Sequence, residues 1–143
     1  MRVFGADVAC AMHALTGLTH TSQGHGLVTN ITYEDIRMVN AGLPIYITQF
    51  YCPGSQHKGA CPNKTGVVQV HGVTIRNVSG THRGDYAGEF LCSDTPGSCK
   101  NLVMENVHLE ADRSGVPPSS NRFLCWKAHG EATDVTPASC LTP

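Results

Sequence analysis

Three segments of this chain repeat one pattern, in which a short alternating strand is followed by Asp or Asn and then by Ile or Val. Alternation of apolar and polar residues with a period of two is typical of a β-strand. Asp and Asn tolerate left-handed backbone, so they mark a turn in each unit. The segments are 30–38, 72–78 and 101–109. A chain built from such units buries its apolar face by stacking one unit on the next.

Further strand candidates lie between the repeats, at 44–49 and 87–91, so each unit reads as strand, turn, second strand and loop. A chain that coils in this way places each strand about 4.8 Å from its equivalent in the next coil. The pattern predicts an all-β chain folded as a parallel β-helix of about four to five coils. A β-sandwich also has short strands at near-regular spacing, but this chain lacks the Asn-Gly and Asp-Gly dipeptides that favour tight hairpins.

The repeats also predict which side chains fill the interior, because equivalent positions carry the same residue type. Tyr33, Ile75 and Met104 are expected to stack on one another in successive coils. The other predicted interior residues are Ile31, Ile36, Val73, Val78, Leu102 and Val107.

The two ends of the chain differ from its middle. Residues 8–15 have the composition of a short helix that would end near Gly17, and residues 1–28 form a poorly defined N-terminal segment. The repeat region is assigned to 29–143. Within it, residues 126–143 are polar and contain proline, which indicates a tail tied down by a disulfide.

The chain has seven cysteines, a density that is high for a reducing compartment. Six fall into local couples, each closing a segment rich in loop-forming residues, and Cys10 is left over. Local pairing is a preference, since six cysteines can pair in many ways. The predicted bridges are Cys52–Cys61, Cys92–Cys99 and Cys125–Cys140. Zinc held by Cys52, His57 and Cys61 is the alternative for the first couple.

Three N-glycosylation sequons, at Asn30, Asn63 and Asn77, also point to export. The first residues do not, because an acidic residue interrupts the apolar run that a secretory signal needs. An incomplete chain is one explanation. The formal charge of −1 gives no basic field for nucleic acid. The apolar runs are too short to cross a membrane, and no cofactor motif occurs.

Four motifs of residues 30–140 occur together. They are Asn-Ile-Thr-Tyr-Glu-Asp-Ile at 30–36, Pro-Ile-Tyr-Ile-Thr-Gln-Phe-Tyr-Cys at 44–52, Val-Thr-Ile-Arg-Asn-Val-Ser-Gly-Thr at 73–81 and Cys-Ser-Asp-Thr-Pro-Gly-Ser-Cys at 92–99. With these motifs the chain resembles the plant polygalacturonases of glycoside hydrolase family 28, and in particular their C-terminal third. The resemblance implies a right-handed, pectin lyase-like β-helix that hydrolyses α-1,4-galacturonan in pectin, outside the cell and in the cell wall.

The residues that carry out catalysis in that family are missing from this chain. The family's acid and base come from Asn-Thr-Asp and Asp-Asp motifs, and neither motif occurs here. The family's Arg-Ile-Lys, which holds substrate carboxylates, is replaced at its expected place by Leu18, Thr19 and His20. Gly24-His25-Gly26 resembles the family's histidine motif but lies in the wrong coil. His25 is therefore a weak catalytic candidate, and a histidine in a glycine-rich loop is the simpler interpretation.

Two pairs of carboxylates are further candidates for an acid–base role. Glu34 and Asp35 are adjacent in a strand, so they should point to opposite faces. Asp85 and Glu89 lie around Tyr86 in a glycine-containing loop, where a solvated surface is the ordinary interpretation.

Two functions from different classes therefore remain open. The first is a piece of a polygalacturonase that is inactive by itself. The second is a non-catalytic β-helix module that binds pectin or a protein partner. The chain would be a monomer, or would self-associate through the open apolar end of its stack, because solenoids need polar caps.

Overall fold

The computed structural model describes residues 2–4, 18–21, 26–51, 68–112 and 121–143. These residues contain nine β-strands and no helix. The predicted helix at 8–15 and its end at Gly17 lie outside the described residues. The strands are β1 (Arg2–Phe4), β2 (Leu18–Thr21), β3 (Gly26–Ala41), β4 (Ile45–Tyr51), β5 (Val68–His82), β6 (Gly88–Leu91), β7 (Cys99–Ala111), β8 (Phe123–Trp126) and β9 (Gly130–Thr136).

The strands alternate between two parallel sheets as the chain advances. Sheet A has the order β1-β3-β5-β7-β9, and sheet B has the order β2-β4-β6-β8. Each strand therefore pairs with its equivalent in the next coil, never with its neighbour along the chain. This topology confirms the predicted right-handed parallel β-helix and excludes the sandwich. The described strands make four A-to-B turns and a final strand of sheet A. β1 and β2 extend the pairing into the segment 1–28.

The interior is a set of aliphatic ladders in the predicted register. Tyr33 pairs with Ile75, and Ile75 pairs with Met104, so the expected stack forms. Of the six other predicted interior residues, Ile31 is the exception, because it is only partly buried while it packs against the core. The described pairing of β1 with β3 begins at Thr32, which leaves Ile31 just beyond it. The other five are fully buried: Ile36, Val73, Val78, Leu102 and Val107.

The Asp or Asn of each repeat occupies the left-handed backbone region, as its chemistry predicts. Asp35, Asn77, Asn106 and Asp134 stand in register, with φ of 58°, 53°, 52° and 54°. Pairing continues on both sides of each residue, so the turn is a bend within a strand. Asn77 Nδ2 donates to Asp35 Oδ1 over 2.9 Å, and Asn106 Nδ2 donates to Asn77 Oδ1 over 3.0 Å. These bonds run along the stack and tie three coils together.

The prediction of a polar tail at 126–143 is wrong. Residues 130–136 form β9, which pairs with β7 and carries a fourth copy of the turn at Asp134. The rest of the chain folds back on the last coil, where Gly130 N–H donates to the Thr142 carbonyl over 2.8 Å. Val135 and Leu141 pack against the core. Burial of these apolar side chains, together with the Cys125–Cys140 disulfide, holds a segment for which the polar composition had predicted a tail tied down by the disulfide alone.

Two of the three predicted disulfides are present. Cys92–Cys99 has a Cα–Cα distance of 5.9 Å, and Cys125–Cys140 has one of 5.6 Å. The first closes the loop between β6 and β7, and the second joins β8 to the C-terminal segment. Cys10 and the Cys52–Cys61 couple, with its zinc alternative through His57, lie outside the described residues. Within the part of the chain that the structure describes, no helix is long and apolar enough to cross a membrane.

Candidate functional site

The outer face of sheet B is defined by Tyr46, Glu89, Leu91, Leu124 and Trp126. Tyr46 pairs with Glu89, and Glu89 pairs with Leu124, so these three form one row across the coils. Leu91 and Trp126 form the next row. Alternate residues of the same strands point inward, where Ile45, Ile47 and Phe90 are fully buried. Sheet B thus presents rows of outward side chains above a tightly packed interior.

Trp126 is the most exposed aromatic side chain of this face, with 51% of its surface accessible. Its indole Nε1 donates a hydrogen bond to Oδ1 of Asp94 over 3.1 Å. Asp94 lies in the loop that the Cys92–Cys99 bridge closes. The Lys127 ammonium lies 5.8 Å from the centre of the indole ring. The ring is therefore held at the surface by a hydrogen bond and accompanied by a cation.

A second aromatic–cation pair lies at the other end of β8. The Arg122 guanidinium lies over the ring of Tyr86, at 5.3 Å from its centre. The Arg122 carbonyl accepts a hydrogen bond from Ala87 N–H over 2.9 Å, which fixes the two loops next to each other. Cation–π contacts of this kind stabilise exposed sites by about 0.5–1 kcal/mol.

The Asp85 and Glu89 pair falls at the edge of the same face. Burial raises the pKa of the Glu89 carboxyl, and the nearby negative charge of Asp85 raises it further. A raised pKa is one property that a general acid needs. Glu89 pairs with Tyr46 and Leu124. It is therefore a strand residue on the outer face of sheet B and does not lie in a loop, as the sequence had suggested.

The raised pKa makes stability depend on pH at this position. A carboxyl whose pKa is higher in the folded than in the unfolded state favours folding when protonated, and this advantage is lost as the pH rises through the folded pKa. We therefore expect Glu89→Gln to raise the Tm at pH 7 and to leave it nearly unchanged below the ordinary carboxyl pKa of about 4.3. Thermal unfolding at both pH values measures this difference. Glu110→Gln, at an exposed position of β7, is the control; an equal shift for Glu89→Gln at both pH values would contradict the prediction.

On sheet A, Glu34 of β3 forms an ion pair with Arg76 of β5, in the next coil. Arg76 Nε donates to Oε2 of Glu34 over 2.8 Å, and its Nη2 contacts the same oxygen. The hydrogen bond to Glu34 raises the pKa of the Arg76 guanidinium above its ordinary value, and the negative charges of Glu34 and Glu105 add to this effect. The Glu34 side chain is 6% exposed and the Arg76 side chain 40% exposed. Glu34 is buried and Asp35 is exposed. Regular alternation does not explain this difference, because Tyr33 and Ile36 on either side are both in the core and Asp35 has left-handed backbone.

Sequence reasoning missed this ion pair, although the signal was present. Glu34, Arg76 and Glu105 each precede the Asp or Asn of a repeat, and the register places them side by side. Their charges alternate from coil to coil, which is the arrangement that favours cross-strand pairing. The pair accounts for Glu34 as a structural group and removes it from the candidates for catalysis.

The structure describes only some of the other predicted site residues. His25 and Asn63 lie outside the described residues. Leu18 and Thr19 pair with Ile47 and Thr48, so the segment that replaces Arg-Ile-Lys is the strand of sheet B next to β4. Within residues 26–51, 68–112 and 121–143, no three His, Cys, Asp or Glu side chains lie close enough together to hold a metal ion.

Asn30 and Asn77 both lie on exposed positions of sheet A. The side chain of Asn77 is already hydrogen-bonded on both sides, to Asp35 and to Asn106. A glycan on its Nδ2 would have to fit between these two neighbours. Glycosylation at either position stays a prediction.

The coil geometry and this ridged outer face define the chain as a segment of a parallel β-helix protein. A model of the glycosyl hydrolases family 28 matches residues 8–132. The chain belongs to this family, which confirms the resemblance found in the sequence.

Several curated polygalacturonases are similar to the chain. One from Juniperus ashei is 36% identical over 82% of this chain and 22% of its own length. One from Chamaecyparis obtusa is 41% identical over 67% of this chain and 18% of its own length. A probable polygalacturonase of Arabidopsis thaliana is 31% identical over 83% of this chain and 26% of its own length. The chain thus spans about a quarter, or less, of the relatives it matches.

Proposed function

We propose that the chain is the C-terminal part of a polygalacturonase β-helix and contributes to the binding of α-1,4-galacturonan in pectin. The observation that carries the proposal is the family match over residues 8–132. The similar proteins from Juniperus ashei and Chamaecyparis obtusa, both polygalacturonases, support the same substrate class. The role of the chain is to extend the stack of coils on which the substrate face is built.

The chemistry of the reaction limits what this chain does by itself. Hydrolysis with inversion needs a carboxylic acid to protonate the leaving oxygen and a carboxylate about 6.5–9.5 Å away to activate water. The sequence contains neither the Asn-Thr-Asp nor the Asp-Asp motif. Glu34 is paired with Arg76. Leu18 and His20 replace the two cations that would hold the sugar carboxylates.

We expect the 143-residue chain alone not to hydrolyse polygalacturonate. A positioned acid and a positioned base each accelerate such a reaction by about 10²–10⁴-fold, and binding without them lowers no barrier. A reducing-sugar assay with the purified, oxidised chain checks this expectation, with His25→Ala as the matched variant. Turnover that His25→Ala abolishes would overturn the proposal and make Gly24-His25-Gly26 catalytic.

A non-catalytic module that binds pectin is the second candidate, and the outer face of sheet B is the observation that favours it. Both candidates predict an inactive isolated chain. The coding region upstream distinguishes them, because only a polygalacturonase has the Asn-Thr-Asp and Asp-Asp coils in frame with this chain.

We also propose that the protein acts outside the cell, in the cell wall, and carries N-linked glycans. The two disulfides fit an extracellular protein, and the sequons at Asn30, Asn63 and Asn77 agree with export. Peptide mapping of the protein from wall extracts tests this, and reduced cysteines with unmodified sequons would count against it.

A further inference from the structure

The strand β8, together with Arg122 directly before it, presents Arg122, Leu124 and Trp126 on one side of sheet B. Phe123 is buried, and side chains alternate along a strand, so the residues at 122, 124 and 126 face outward. Arg122 and Trp126 are exposed, and Leu124 is partly buried. Their Cα atoms span about 13 Å, at about 3.3 Å per residue.

Trp126 is fixed in place although half of its surface is exposed. Its Nε1 donates to Asp94, and Asp94 belongs to a loop closed by a disulfide whose two cysteines are fully buried. Contact between an apolar ring and water is unfavourable, so a ligand that covers the ring gains free energy. A ring that is already held in one orientation loses little conformational freedom when a ligand covers it. Trp126 therefore has the properties of a preorganised stacking surface.

Lys127 brings a positive charge to this ring through an unusual backbone conformation. Its φ is 52°, in the left-handed region that a residue with a long side chain seldom adopts. Strained backbone of this kind is concentrated at ligand sites. The conformation ends the alternation of β8, so that Trp126 and Lys127 lie on the same side and the ammonium reaches 5.8 Å from the ring centre. An aromatic ring beside a cation matches a sugar that has an apolar C–H face and a carboxylate.

The acidic groups around this surface are accounted for as well. Asp94 accepts the indole hydrogen bond. Glu89 pairs with Leu124 and therefore lies in the row next to that of Trp126. Burial raises the pKa of its carboxyl, and the charge of Asp85 raises it further. Asp94 and Lys127 are both close to the ring. Because the Asp94 carboxylate already accepts the indole N–H, Lys127 is the group with which the carboxylate of a ligand would pair.

We propose that Trp126 and Lys127 form a subsite for one uronic-acid residue of a galacturonan chain, with the sugar ring stacked on the indole and its carboxylate paired with the ammonium. The subsite rests on the proposed function, because galacturonan is the ligand class that the family supplies. Arg122 lies where a later carboxylate of the same chain would pass. The subsite places one residue of the substrate on the coil that contains β8.

Fluorescence tests the subsite directly, because Trp126 is the only tryptophan of the chain. We expect a galacturonic-acid oligomer to change the tryptophan emission saturably. The same oligomer with its carboxyls methyl-esterified should bind more weakly, since it lacks the charge that Lys127 pairs with. The wild-type affinity measured by electrophoresis in a polygalacturonate gel should agree with the fluorescence titration.

Three variants separate stacking from charge in the gel. Trp126→Ala should weaken binding by about tenfold or more, whereas Trp126→Phe, which keeps an aromatic ring but loses the bond to Asp94, should weaken it less. Lys127→Gln should weaken binding of the acidic oligomer and leave the esterified one unchanged, with an effect that salt reduces. Melting curves verify that each variant is folded, and Trp126→Phe and Lys127→Gln keep the test valid if Trp126→Ala does not fold.

The outcomes distinguish the two proposals. If wild type binds polygalacturonate without a change in its tryptophan emission, and the folded variants bind equally well, the subsite is wrong and the proposed function stands. If wild type shows no binding to polygalacturonate at all, the contribution of this chain to galacturonan binding fails and the subsite fails with it.

Discussion

Replacing Gly80 with alanine is expected to destabilise the protein by about 3–5 kcal/mol, at the upper end of what single substitutions do. Gly80 has a φ of 135°, a backbone region that is almost restricted to glycine. A Cβ there would lie 1.8 Å from the Met38 carbonyl oxygen and 2.8 Å from the Met38 nitrogen. Both atoms are backbone of the neighbouring strand β3, so no side chain can move aside. The paired strands β3 and β5 would have to separate.

The change is measured as the shift of the urea unfolding midpoint, with Gly42→Ala as the control. A Cβ on Gly42 has no heavy atom within 4 Å, and Gly42 is not among the glycines with positive φ. Gly42→Ala should therefore remain within about 0.5 kcal/mol of wild type. Equal midpoints for the two variants would show that the approach of Gly80 to Met38 does not limit the packing of the coils.

Replacing Gln49 with leucine should cost about 2–4 kcal/mol, although leucine is close to glutamine in size. The Gln49 side chain is fully buried, with 1% of its surface exposed. Its Nε2 donates to the carbonyls of Val68 and Ser98 over 2.7 and 3.3 Å. Its Oε1 accepts from Ser93 N–H over 2.6 Å. One amide thus joins β4, β5 and the loop that follows β6.

Leucine would leave the buried Ser93 N–H without this acceptor, and an unsatisfied buried donor is the larger part of the penalty. The Ser98 carbonyl is less affected, because it also accepts from Val70 N–H over 2.8 Å. Gln69→Leu is the matched control, since Gln69 is exposed on β5, and it should change the unfolding midpoint little. If both leucine variants had the same stability, the hydrogen bonds of Gln49 would not contribute to the stack.

The repeat could be predicted from the sequence because the contacts between coils follow a fixed register. A strand in a solenoid meets its own equivalent one coil later, so similar residues at similar places in the repeat identify partners directly. Tyr33, Ile75 and Met104 were aligned in this way. The same reasoning located the left-handed turns at Asp35 and Asn77, since few residue types other than Asn and Asp tolerate that backbone.

The sequence analysis did not predict the C-terminal strand β9, because this copy of the repeat contains few apolar residues. Exposed residues occupy most of its positions, and its burial comes mainly from Val135. The Thr-Asp-Val at 133–135 repeats the turn pattern of the earlier coils, but a single aliphatic residue does not distinguish a strand from a polar tail. The strand forms because β7 already offers an unpaired edge.

The sequence by itself determined the fold class, the ladders of the core, the turn residues and the family, because each of these depends on a pattern that recurs along the chain. Only the tertiary structure decided which non-repeating side chains meet. Gln49 with Ser93 and Trp126 with Asp94 are joined across 44 and 32 residues by loops that have no common period. Their contacts depend on how far each loop reaches and on what it leaves buried, and these are properties of the folded coil that no local pattern encodes.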